Sequence, residues 1–265
     1  MPTVLPDAAA MLATRWRLSL GDPYATESGG SWVAPATGVD GSDLVLKVAH
    51  AHEEARDEAV GLRLWAGRGA VQVHDEHTDG DVVALLLEHV RPGTALRDLR
   101  EEVDQDVVLA DLLQRLWIAA PSGHQLRALR QMCEQWAREH VDDPRPLDPG
   151  LVRAGFALWL ELPTTADRET VLVTDLHAGN VLAATREPWL MIDPKPYVGD
   201  PAYDPLQHLL NCPGRLHTEP RALVDRMAGL CGVQAERLRL WLFARCVVES
   251  AWRPQLALVA AELAP

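Results

Sequence analysis

Lysine is nearly absent from this 265-residue chain. Of its 25 basic residues only Lys47 and Lys195 are lysines. Arginine therefore fills the ordinary surface cation positions, and the two exceptions mark places that need a compact ammonium on a flexible stem. Asparagine is as scarce, with Asn180 and Asn211 alone. Positive charge is short overall: a formal net charge of -13 excludes a nucleic-acid or anionic-membrane surface, since both need clustered Lys and Arg. The deficit is spread along the chain, 14 acids against 6 bases in residues 1–90 and 24 against 19 in 91–265, so it is poor evidence for a cationic substrate. Four cysteines (Cys133, Cys212, Cys231, Cys246) show no paired spacing, which argues against a zinc site or a disulfide framework and for a reducing compartment. No basic segment precedes the first apolar residues, and no uncharged apolar run reaches about eighteen residues. The expectation is a soluble, unprocessed, cytoplasmic protein with no obligate protein partner. At 48% hydrophobic the length suffices for one large core or two lobes sharing one.

The most informative stretch is 171–204, VLVTDLHAGNVLAATREPWLMIDPKPYVGDPAYD. An apolar run, Val171 to Val173, reads as a buried strand end that delivers Asp175 into a loop closing at Asn180. Residues 180–184 and 189–192 flank a polar tip in a hairpin pattern, and the second strand ends on Asp193. Phosphoryl transfer from ATP needs this set of side chains. One carboxylate, Asp175, orients and deprotonates an attacking hydroxyl; an amide oxygen and a second carboxylate, Asn180 and Asp193, hold Mg²⁺ on the phosphates. The bland alternative is a tight turn capped by Asp175 and Asn180 with Asp193 ending a strand.

DLHAGN followed by IDPKPYVGDPAYD resembles the aminoglycoside phosphotransferase family of small-molecule kinases, in particular its streptomycin/hydroxyurea branch. The resemblance runs from about Trp16 to the C-terminus. It implies an α+β, two-lobed protein-kinase-like fold, with a small antiparallel five-stranded N-lobe (1–90) and a mainly helical C-lobe carrying the catalytic hairpin (91–265). ATP would lie between the lobes and an alcohol acceptor on the larger one. The family usually has His before Gly or Thr at the approach to the Asp; here that position is Val173. By the same resemblance Asp200 braces the catalytic loop through backbone amides, Asp204 caps a following helix, and His177 orients the loop.

Earlier in the chain, residues 6–14 read as a short helix. Three strands follow, around Trp16 to Leu20, Ser31 to Val33 and Asp43 to Val48, with Gly29 and Gly30 in the first turn as a loose signal for a phosphate-covering loop. Lys47 closes LVLKV, where a kinase places the lysine that contacts the α- and β-phosphates. Residues 50–67 have helical apolar spacing, with Glu58 on the inward side as the partner for Lys47 and Glu54 as its substitute. Two more strands, 71–73 and 81–88, complete the sheet. The run LLLEHVRPG then leaves it, and the backbone of Glu88, His89 and Val90 should read adenine's edge. Helices are predicted over 94–100, 103–120, 125–140 and 149–162, and again over 202–211 and 223–265. Trp117, Trp136 and Trp159 read as core. His124, His140 and His208 are isolated in sequence and receive no chemistry. Glu249 and Trp252, three apart on one predicted helix, read as a surface Glu beside a core Trp, with an acceptor pocket as the alternative. Lys195, held between prolines two residues after Asp193, is a candidate catalytic cation near the transferring phosphoryl.

The sequence thus predicts an ATP- and Mg²⁺-dependent O-phosphotransferase acting on a small-molecule hydroxyl. By the resemblance the acceptor is a streptomycin-type aminoglycoside, an antibiotic inactivation; hydroxyurea or a metabolite such as an amino sugar is the alternative. A nucleotide-binding pseudokinase is the rival from another class.

Overall fold

In the computed structural model, which describes residues 4–25 and 30–265, five runs rich in Val, Leu and Ala pair into one antiparallel sheet. The elements in chain order are α1 (Leu5–Trp16), β1 (Leu18–Leu20), β2 (Ser31–Gly38), β3 (Asp43–His50), α2 (Glu53–Trp65), β4 (Val73–Asp79), β5 (Val82–Glu88) and β6 (Pro92–Ala95). Then come α3 (Leu96–Leu99), α4 (Glu102–Leu116), α5 (Leu129–His140), α6 (Pro149–Glu161), β7 (Thr170–Leu172), β8 (Val181–Ala184), β9 (Trp189–Met191) and β10 (Tyr197–Gly199). The last helices are α7 (Leu206–Leu210), α8 (Pro213–Thr218), α9 (Pro220–Cys231), α10 (Ala235–Glu249) and α11 (Leu256–Leu263). Two compact units divide the chain: Met1–Ala95 with Leu182–Lys195, and Leu96–Val181 with Pro196–Pro265. Gly29, one of the two glycines expected to form a phosphate-covering turn, lies outside the described residues.

The first unit is organised by the two faces of its sheet, whose strand order is β1-β2-β3-β5-β4. Side chains alternate across a strand. Ala36, Leu44, Leu46, Val48, Ala84 and Leu86 therefore share one face, which is buried under the Leu5, Ala8, Ala9 and Leu12 stripe of α1. The opposite face carries the cross-strand pairs Val33↔Lys47, Pro35↔Val45, Lys47↔Leu85 and Val45↔Leu87. Ala55 of α2 packs over the Ala49 and Val83 end of this second face. Val33, Pro35 and Val45 are only half-buried, so an apolar patch beside Lys47 is left partly open.

β4 spans 73–79 and not 71–73, because its HDEHTD run is a polar edge strand with no apolar alternation to announce it. β8 and β9 continue a second sheet, in the order β6-β8-β9. The hairpin tip is strapped down by two neighbouring side chains. Arg186 pairs with Glu88 at 2.8 Å and donates to the carbonyls of Gly67 and Ala70, while the Glu187 carboxylate accepts from the Gly69 amide at 3.2 Å.

In the second unit α10 is buried from Trp241 to Glu249 and α6 packs on it closely, since a Cβ at Gly155 would lie 2.6 Å from Val247. Two charged clusters sit inside this helical packing. Arg245 pairs with Glu249 at 2.5 Å and bonds the Tyr203 hydroxyl, while Arg253 reaches the other Glu249 oxygen at 2.9 Å. This corrects the sequence expectation for Glu249 and Trp252. α10 stops at Glu249, which is the buried partner, and Trp252 lies beyond the helix at 46% exposure.

The second cluster overturns the view of His208 as isolated. Its Nε2 lies 2.7 Å from Asp106, which also holds Arg226 at 2.7 Å and Arg215 at 2.9 Å. Cys212 lies beside them, but burial pushes its thiol up to about 12, and the carboxylate already holds two guanidiniums, so the group is a poor cation site. Burial alone would raise the Asp106 carboxyl; the bonds from His208, Arg215 and Arg226 overcome it and hold it at about 2. A carboxyl depressed in the folded state contributes stability that is present above its unfolded pKa and is lost as pH falls through the folded one. Urea unfolding of the wild type is expected to lose about 2 kcal/mol between pH 4 and pH 2 from this group. That part of the acid slope should be missing in Asp106→Asn.

Candidate active site

Lys47 projects from the half-open face of the sheet, at mid-strand, where its backbone is fixed by pairing on both sides. Its Nζ donates to both Glu58 oxygens, at 2.8 and 2.6 Å, and to Asp193 Oδ1 at 2.5 Å. Glu58 reaches it because α2 turns its Ala55, Ala59 and Leu62 stripe inward and Glu58 falls within that stripe, 5% exposed. Burial disfavours the ammonium, but the Glu58 and Asp193 carboxylates outweigh it and raise the Lys47 pKa, so the charge is secure. Burial pushes the Glu58 carboxyl up, opposed by Lys47; Asp193 adds to the rise and Lys195 works against it. Lys195 is thus within electrostatic reach of this cluster. The structure brings Lys47, Glu58 and Asp193 together in the first unit.

Asp193 follows β9 in the left-handed region, at φ 51°. An Asp tolerates that conformation because its short side chain bonds locally. Its side chain is 50% exposed, which leaves room for a cation beside the carboxylate.

In the second unit Asp175 stands on a three-residue turn. Its amide donates to the Val173 carbonyl at 2.8 Å, and the central residue, Thr174, has φ 54°. A β-branched residue at positive φ is strained, and such a conformation persists only where its surroundings over-determine it. Here Asp204 does so: it accepts from the Thr174 amide at 2.6 Å, the Val173 amide at 3.0 Å and the Trp117 indole at 2.9 Å. Burial raises the Asp204 carboxyl to about 6, with those three donors pulling the other way. The brace grips main chain, so it does not depend on which side chain stands at position 173.

The expected roles of Asp200 and Asp204 are therefore exchanged. Asp204 holds the loop, and Asp200 caps the short turn 201–203 through the Ala202 amide at 3.0 Å while pairing with Arg237 and Trp241. Nothing in the sequence tells two aspartates flanking PAY apart. Beyond Asp175 the loop closes on itself: His177 Nδ1 accepts from Gly179, its carbonyl accepts from the Asn180 amide, and Asn180 Nδ2 donates to the Asp175 carbonyl at 3.1 Å. With Nδ2 turned inward, Oδ1 is the atom that Asn180 can present to a metal. An amide oxygen and a carboxylate are donors that suit Mg²⁺.

Of the connector residues, Glu88 gives its amide to the Gln72 carbonyl at 2.9 Å and its carboxylate to Arg186. The amides of His89 and Val90 make no such bond among the described residues. Sequence reasoning missed the side chain of His89, which is almost fully buried and bonded to Asp43 at 2.7 Å and to the Tyr24 hydroxyl at 3.0 Å. It also missed Trp117 as part of the loop brace.

Comparison with known proteins bears on these groups. The family described as aminoglycoside/hydroxyurea antibiotic resistance kinase matches residues 15–256. A hydroxyurea phosphotransferase of Kitasatospora aureofaciens is 36% identical over 258 residues, covering 94% of this chain and 73% of the relative. A streptomycin 6-kinase of Streptomyces griseus is 36% identical over 207 residues, covering 76% of this chain and 65% of the relative. Among solved structures, the aminoglycoside phosphotransferase APH(3'')-Id of Streptomyces rimosus in complex with ADP and streptomycin superposes with a TM-score of 0.61 at 16% identity, over 96% of this chain and 98% of that one. The fold is accordingly protein-kinase-like, an antiparallel five-stranded sheet with a helical C-terminal region.

Proposed function

Since the chain belongs to the aminoglycoside/hydroxyurea antibiotic resistance kinases and is a small-molecule kinase, we propose that it moves the γ-phosphoryl of ATP to a hydroxyl of a streptomycin-type aminoglycoside. The observation that carries this reading is the Lys47–Glu58–Asp193 cluster beside an open apolar patch of sheet. A flat purine fits that patch, its edge read by a main-chain amide and carbonyl of the Glu88, His89 and Val90 connector, with Lys47 held by Glu58 at the phosphates. Residues 1–90, with which the 182–195 hairpin groups, then form the nucleotide lobe, and the rest of 91–265 the lobe with the acceptor and the catalytic loop. Asp175, fixed by the Asp204 brace, accepts the proton of the attacking hydroxyl. Asn180 and Asp193 would hold Mg²⁺, which when bound neutralises charge on the phosphate oxygens. A metal-independent cation, Lys195, adds positive charge near the transferring group.

Hydroxyurea is the second acceptor to test, because the hydroxyurea phosphotransferase aligns over more of this chain than the streptomycin kinase does at equal identity. Incubation with MgATP and a panel of streptomycin, other aminoglycosides, hydroxyurea and hexosamines, read by mass spectrometry, separates these. A phosphate-sized gain on streptomycin is expected. Stabilisation by ATP with transfer to no compound would replace the reading by a nucleotide-binding pseudokinase.

Lys195 carries its own prediction. Lys195→Ala is expected to lower kcat/KM by roughly 10- to 100-fold with the melting temperature unchanged. Lys195→Arg should not restore it, because a planar guanidinium does not reproduce a compact ammonium. Wild-type kinetics in the Ala variant would remove Lys195 from the site.

A further inference from the structure

The chain after β1 does not leave the sheet at once. The Gly21 amide donates to the Pro35 carbonyl and the Tyr24 amide to the Val33 carbonyl, both at 2.8 Å. Three steps along this segment thus match two along β2, the count of a β-bulge, and a bulge re-aims the side chain that follows it. The Tyr24 hydroxyl meets His89 Nε2 at 3.0 Å, ring edge to ring face with centroids 6.5 Å apart. In the sheet order, β2 and β3 lie between β1 and β5, so the two side chains meet over a face of the sheet and not along its edge.

That face is the one bearing Lys47. Asp43, which bonds His89 Nδ1 at 2.7 Å, alternates in step with Val45 and Lys47, and the other face lies under α1. Arg91 joins the bridge, donating to Asp43 Oδ2 at 2.9 Å with its Nη2 3.2 Å from His89 Nδ1; its bonds and that of His89 outweigh burial and hold the Asp43 carboxyl below the usual range. With a proton on Nδ1 alone, Nε2 accepts from the Tyr24 hydroxyl.

We propose that the Tyr24–His89–Asp43 bridge is a purine clasp, which closes the outer edge of the Val33, Pro35 and Val45 patch and positions the base there. It deepens, and rests on, the reading of this face as the nucleotide site. A segment already tied to the connector loses less freedom when a base enters, and that saving appears as affinity. Because the clasp acts at the base and not at the phosphates, its loss should weaken every adenine ligand by one common factor.

The test is calorimetric titration of the full chain with adenosine and with MgADP. Tyr24→Phe keeps the ring and removes only the hydroxyl, at a residue 48% exposed, so folding should be retained and is checked by melting temperature. Both dissociation constants are expected to rise about three- to five-fold, the pre-ordering lost with the bond being worth at most that one hydrogen bond. His89→Ala should weaken both ligands, and the double variant should be no weaker than His89→Ala alone. Adenosine and MgADP binding within two-fold of wild type in Tyr24→Phe overturns the clasp while leaving the nucleotide site standing, as does a loss confined to MgADP. A wild-type chain that binds neither ligand overturns both.

Discussion

Asp175→Asn is expected to bind MgATP as the wild type does and to lose about 100-fold or more in kcat on its acceptor. The amide keeps the shape of the carboxylate and can still accept a hydrogen bond, but it cannot take up a proton, so the loss isolates the base. Nucleotide affinity should be untouched because the groups assigned to the phosphates, Lys47 and Glu58, and the connector backbone assigned to adenine belong to the first unit, whereas Asp175 stands in the second. The loop itself should survive the change: Asp204 grips the amides of Val173 and Thr174, and Asn180 grips the Asp175 carbonyl, none of which involves the 175 side chain. Steady-state kinetics with titration of MgATP checks this. Near-native turnover in the variant would sink the assignment of the base.

Asp193→Ala is expected to be at least as damaging, with activity reduced by about 10²- to 10³-fold at any Mg²⁺ concentration, in line with the loss of a principal charge-stabilising group. In the wild type, EDTA should abolish turnover and Mg²⁺ or Mn²⁺ should restore it, since an amide oxygen and a carboxylate make a hard-cation site. Removing Asp193 has a second effect. Lys47 keeps Glu58 but loses the carboxylate 2.5 Å away on its other side, so its position at the phosphates is also less constrained. Asp193→Asn tests the charge alone, because it keeps a metal-binding oxygen and a hydrogen-bond acceptor for Lys47. Intact Mg²⁺-dependent activity in Asp193→Ala would show that the metal is held elsewhere.

The scarcity of lysine made Lys47 legible, since a residue type used twice in the chain signals a requirement that a common one cannot. Strands β3 and β5, α2 and the Glu58 partner followed from periodicity, whereas the polar edge strand β4 was misplaced. What periodicity could not show falls into three kinds. Short non-local pairings, such as β10 with β7 over Tyr197↔Leu172 and Gly199↔Thr170, carry no local pattern of their own. Helix ends set by tertiary demands were misjudged: residues 103–120 read as one helix, but α4 stops at Leu116 and Trp117 turns out of it to give its indole to Asp204. Where a helix is buried on all sides, as α10 is from Trp241 to Glu249, no apolar stripe orients it, so nothing told Glu249 from a surface acid. The side-chain roles of Asp204 and His89 were hidden for a further reason, as each depends on partners 30 or more residues away.

The membership of Leu182–Lys195 in the first unit sets an order of events during synthesis. Residues 1–95 emerge from the ribosome with β6 lacking its β8 neighbour, and about 90 further residues must be added before the hairpin follows, roughly 5 to 20 seconds at common elongation rates. Throughout that interval the carbonyls of Gly67 and Ala70 and the Glu88 carboxylate have no Arg186, and Lys47 has no Asp193. The nascent five-stranded sheet must therefore stay soluble before the 182–195 hairpin arrives, and the polar HDEHTD run of β4, its edge strand, disfavours pairing with a second chain.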